Sequence, residues 1–111
     1  MGAALSFCSL PGAPPQDRLP EGTMELGLGI HGEAGAVRCA LQTADGVVAE
    51  LLKRILAQPL GSDAPRPVAA GDGVVLLVNN LGATTAMELH VVLGAALRQL
   101  QGALAVLREV V

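Results

Sequence analysis

Residues 74–78, VVLLV, are five consecutive apolar positions with no alternation. A strand with one face in water alternates apolar and polar side chains, so this unbroken run reads as a strand buried on both faces, as in parallel sheets. Asn79-Asn80-Leu81-Gly82 ends it, and Thr85-Ala86-Met87-Glu88 then spells a capping box. In that motif the threonine hydroxyl and the glutamate carboxylate each satisfy a free backbone N–H. Leu89, Val92, Leu93, Ala96, Leu97 and Leu100 recur at helical spacing as far as Gly102, a natural C′ residue. The last nine residues, ALAVLREVV, return to strand character.

Upstream the same grammar repeats. Residues 3–10, AALSFCSL, read as a strand closed by Pro11-Gly12, and residues 13–22 as a proline-rich loop. MELGLGI, residues 24–30, is apolar at every second position, which predicts a strand whose other face carries Gly27 and Gly29. Glycine in a strand marks a place where a ligand or another backbone comes close. After a bend at Gly32 and Gly35, Thr43 or Asp45 caps a second amphipathic helix through Val47, Val48, Leu51, Leu52, Ile55 and Leu56, stopped by Pro59. Residues 58–73 read as a surface loop. The alternation predicts an α/β fold over residues 1–111, a mixed sheet with two amphipathic helices. Apolar runs at both ends predict a domain truncated at each, since native proteins avoid bare apolar edges.

Composition narrows the function classes. The chain is 51% hydrophobic with a single aromatic, Phe7, so its core is aliphatic. A net charge of -3 and the absence of Trp and Tyr exclude phosphate-backbone binding and base stacking, hence a nucleic-acid partner. No apolar run approaches the roughly 18 residues that cross a bilayer. Met1-Gly2-Ala3-Ala4-Leu5-Ser6 fits the myristoylation template, but no basic patch follows to complete an anchor, and no membrane partner is expected. Cys8 and Cys39, with no secretory signal, read as reduced thiols of a cytoplasmic protein.

Gly27-Leu28-Gly29-Ile30-His31-Gly32 spells G-x-G-x-x-G. A dinucleotide site needs its last glycine to open a helix, whereas here a second bend follows and helical spacing resumes only near Val47. His31 is the more informative residue. Small neighbours leave its imidazole accessible as a base, a metal ligand or a nucleophile. His90 lies on the later helix and the cysteines lack ligand spacing, so no metal is expected in this chain. Glu33 either orients His31 or faces solvent. Asn79 and Asn80 end a buried strand, where they either form a turn or contribute to a site.

CSLPG, MELGLGIHGEAG and VVLLVNNLGATTAMEL, in this order and spacing, resemble the dihydroxyacetone kinase family, specifically the second half of its substrate-binding (K) domain. Ala34 and the CSLPG start are most similar to the animal branch, the triokinase/FMN cyclases. The resemblance implies that His31 attacks the carbonyl carbon of dihydroxyacetone or glyceraldehyde to give a covalent hemiaminal. Gly29, Gly32 and Glu33, with Asn79 and Asn80, then become substrate-binding residues. It further implies phosphorylation by ATP and magnesium held on a separate helical domain, and a homodimer of the full-length protein. The family's catalytic aspartate and second histidine fall upstream of this chain, so the expectation is triose binding without kinase activity. The alternative expectation is a non-catalytic product that associates with other chains through exposed sheet edges.

Overall fold

A computed structural model describes residues 1–6, 11–14, 19–27, 35, 37–57 and 68–111, the last stretch without the side chains of residues 107 and 108. Seven elements follow in the order β1 (Ala3–Ala4), β2 (Thr23–Leu26), β3 (Val37–Ala40), α1 (Ala44–Ala57), β4 (Gly73–Leu77), α2 (Ala86–Leu100) and β5 (Ala105–Val110). The expected mixture of pairings is distributed over two sheets. β1, β2 and β3 form an antiparallel sheet with β2 in the centre, and β4 and β5 form a parallel pair. β3 was not anticipated: its residues, VRCA, have no apolar period, and pairing with β2 in the register Met24↔Cys39 and Glu25↔Arg38 makes them a strand.

α1 is the hub. Thr43 caps it, its Oγ1 accepting the Gly46 N–H at 3.3 Å. Val47 and Leu51, one turn apart, pack with Met24 and Leu26 of β2. Val48 and Leu52 lie on the adjacent stripe and pack with Val92, Ala95 and Ala96 of α2 and Leu76 of β4. Two neighbouring stripes of one helix thus serve two cores. Arg98 donates to Asp45 Oδ1 and Gln99 to the Asp45 carbonyl, both at 2.8 Å, so the end of α2 lies against the start of α1.

The capping box is formed. Thr85 N–H donates to Glu88 Oε2 at 2.8 Å, and Glu88 N–H donates to Thr85 Oγ1 at 3.3 Å. At the other end Gly102 adopts φ +82°, closing α2 before β5. The βαβ unit read from the sequence is therefore present, with one difference. Val74 and Leu76 are half-buried, Leu76 against the helices, but Val75 and Leu77 are 65% and 67% exposed. Among the described residues, the run that reads as buried on both faces is covered on one face. The strand expected over residues 3–10 is described as β1 alone, with residues 7–10 outside the described residues, as are residues 58–67 of the expected loop.

Candidate functional site

β2 is the central strand of its sheet and carries three consecutive buried side chains, Met24, Glu25 and Leu26. Met24 and Leu26 point to the apolar core shared with α1. The pleat turns Glu25 to the opposite face, where it is nonetheless only 1% exposed. A carboxylate so far from water needs specific partners. Its Oε1 accepts the Gly35 N–H at 2.5 Å, and Arg38, directly opposite on β3, brings Nε to 3.9 Å from Oε2. Arg38 is half exposed and at the long limit of an ion pair, so solvent weakens its attraction. The short bond from Gly35 is the stronger hold, since hydrogen bonds to ionised acceptors are roughly twice as strong as neutral ones. Oε2 accepts no hydrogen bond among the described residues.

Gly35 sits there because nothing larger fits. A Cβ on it would lie 2.5 Å from Glu25 Cγ and 2.6 Å from the Leu26 carbonyl oxygen. The main chain at residue 35 thus packs directly on β2. At the end of that strand, Gly27 takes φ +84° and its N–H donates to the Gly2 carbonyl at 2.7 Å. The expected site residues Gly29, His31, Gly32 and Glu33 belong to the segment joining these two positions and lie outside the described residues.

The other expected pair lies past the carboxyl end of β4, the end at which open α/β sheets bind ligands. Asn80 spends its side chain on the local turn. Its Nδ2 donates to the Thr84 carbonyl at 2.6 Å, and its Oδ1 accepts from Gly82 N–H at 2.8 Å and from Thr84 N–H at 3.4 Å. Asn79 is exposed beside it. The α2 N-terminus that follows already holds an anion. The Thr85 backbone N–H, and then its hydroxyl, keep the Glu88 carboxyl below its ordinary range. His90 is exposed on α2, its Nδ1 2.7 Å from the Ala86 carbonyl oxygen. Among the described residues no three His, Cys, Asp or Glu side chains converge as metal ligands. No helix among them is long and apolar enough to cross a membrane. A groove of about 210 Å³ beside Leu52, Leu56, Val68, Leu100 and Leu104 has Gln99 as its single polar side chain and presents no reacting group.

The Dak1 domain model matches residues 1–111. This chain belongs to the Dak1 family. A Solanum lycopersicum protein provisionally described as a 3,4-dihydroxy-2-butanone kinase is 50% identical over 101 residues, covering 91% of the Dak1 chain and 16% of the relative. A Bos taurus triokinase/FMN cyclase is 43% identical over 102 residues, 92% of this chain and 17% of its own length. The dihydroxyacetone-binding subunit of the Escherichia coli PEP-dependent dihydroxyacetone kinase is 35% identical over 81% of this chain and 30% of its own length. This Dak1 chain therefore spans less than a fifth of the plant and bovine proteins.

Glu25 is the residue that reading the sequence passed over. The signal was a lone acid between two strand positions of apolar period, on the face shared with Gly27 and Gly29. Such an acid is ordinarily read as solvent-facing, and only the packing of Gly35 reveals its burial.

Proposed function

We propose that this Dak1 segment supplies part of the triose-binding site of a dihydroxyacetone or glyceraldehyde kinase, with His31 as the covalent anchor. The observation that carries the reading is the match over 81% of the chain to a protein named as a dihydroxyacetone-binding subunit. The chemistry of the residue types supports it. The lone pair of a neutral imidazole nitrogen adds to the carbonyl carbon. The C=O π electrons move to oxygen, which gains a proton as the attacking ring loses one, and a hemiaminal results with no change of oxidation state. An alcohol offers no such carbon, so the site selects a carbonyl triose over glycerol. In this reading Gly29 and Gly32 leave room for a small substrate, Glu33 orients the ring, and Asn79 and Asn80 are further substrate contacts. Phosphoryl transfer relies on charged groups that position ATP and magnesium. We assign those groups to other parts of the protein, and the location to the cytoplasm.

Dihydroxyacetone labelled with carbon-13 at the carbonyl tests the anchor. Binding is expected to replace the ketone resonance by a protein-bound tetrahedral one, and His31→Ala to abolish it. A tetrahedral signal that persists in His31→Ala refutes the assignment. A second reading, association with other chains or a second copy, is favoured by the uncovered Val75 and Leu77 of β4. It predicts oligomers that survive His31→Ala, and a strictly monomeric protein refutes it.

A further inference from the structure

We propose that Glu25 is a positioning residue for the segment that carries His31, holding the two ends of residues 28–34 together from beneath. The inference rests on the reading of His31 as the triose anchor. The chain leaves β2 at Gly27 and returns at Gly35, with seven residues between them. Both ends are fastened to the same antiparallel sheet, at neighbouring strands. Gly27 is tied to β1 by its N–H to the Gly2 carbonyl at 2.7 Å. Gly35 is tied to β2 by its N–H to Glu25 Oε1 at 2.5 Å. A Cβ on Gly35 would lie 2.6 Å from the Leu26 carbonyl oxygen, so the main chain at residue 35 lies directly on the end of β2. Glu25 itself cannot swing away. It is buried, paired in register with Arg38, and its other oxygen faces that side chain at 3.9 Å.

The physical effect is preorganisation. A segment whose ends are already joined has part of its loop-closure entropy removed before any substrate arrives. Less ordering then remains to be done on binding, which strengthens affinity without any added contact. A small triose offers few atoms for contact, so a histidine meant to meet its carbonyl benefits strongly from being held in place. Glu25 acts on this chemistry through the backbone at Gly35 and touches no substrate.

The test compares Glu25→Leu, which keeps the volume but offers no acceptor, with Glu25→Gln, which restores one. Two readouts are taken on the intact protein: amide hydrogen exchange at Gly35, and the apparent affinity for labelled dihydroxyacetone from the hemiaminal signal. Glu25→Leu is expected to speed Gly35 exchange and weaken adduct formation by about tenfold or more, with Glu25→Gln recovering most of both. Unchanged exchange in Glu25→Leu overturns the clamp. Faster exchange with wild-type adduct affinity overturns the positioning role and leaves His31 as the anchor. If the wild type forms no adduct, or His31→Ala still forms one, the triose reading fails and takes the positioning role with it, while the exchange data separately report whether the tether exists.

Discussion

Gly35→Ala probes the close packing beneath the candidate site most directly. The added methyl would stand 2.5 Å from Glu25 Cγ, 3.2 Å from Glu25 Cδ and 2.6 Å from the Leu26 carbonyl oxygen. Glu25 is buried and cannot rotate into water, and the Leu26 oxygen belongs to the backbone of a central strand. Neither neighbour yields cheaply. Overpacking of this kind costs about 1–3 kcal/mol. If residue 35 moves outward instead, its N–H bond to the Glu25 carboxylate lengthens or breaks, which costs about 1.5–3 kcal/mol. Alanine returns about 0.4–1 kcal/mol by restricting the unfolded chain. By either route the expected net loss is about 0.5–2.5 kcal/mol. Urea unfolding followed by far-UV circular dichroism measures it, since a chain with no Trp or Tyr gives little intrinsic fluorescence signal. A lower midpoint at unchanged slope is the expected result. An unchanged or higher midpoint refutes the argument that residue 35 packs on β2.

Gly94→Ala is the converse case. Gly94 lies inside α2 with nothing nearer to its missing Cβ than an Arg98 Nη1 at 3.5 Å, so alanine is expected to raise stability by about 0.5–1 kcal/mol in the same urea assay. Thr85→Ala removes the hydroxyl that accepts the Glu88 N–H and donates to Glu88 Oε2, and should lower stability by about 0.5–2 kcal/mol, seen as a lower thermal midpoint. The Glu88 carboxyl is depressed in the folded form, first by the Thr85 backbone N–H and then by its hydroxyl. Its contribution is therefore complete at neutral pH and is lost as pH falls through the ordinary carboxylate range to the depressed value. A titration of Glu88 by NMR should move toward the ordinary value in Thr85→Ala.

Placing Glu25 beside Gly35 also changes how the glycines around His31 are understood. Gly27 serves a left-handed turn at the end of β2, and Gly35 serves close packing on that strand. Two of the glycines around His31 thus have structural duties at the margins of the segment. That division leaves Gly29 and Gly32 as the ones to examine for substrate access.

The sequence by itself determined the helices, their caps and the βαβ order, because those depend on neighbours three or four residues away. Thr85 and Glu88 reach each other within one turn, and Val47, Val48, Leu51 and Leu52 line up on α1 whatever else is present. The family was also legible, because the IHGE and LVNNLGAT blocks are specific as written. Tertiary structure alone decided three things. It made residues 37–40 a strand, since only pairing with β2 gives that irregular run a partner. It left Val75 and Leu77 of β4 exposed, because burial depends on which elements pack on a strand, and among the described residues the helices pack on the Leu76 side. And it buried Glu25, because the atoms that remove it from water, the Gly35 main chain and Arg38, are 10 and 13 residues away along the chain and meet it only when β3 folds back.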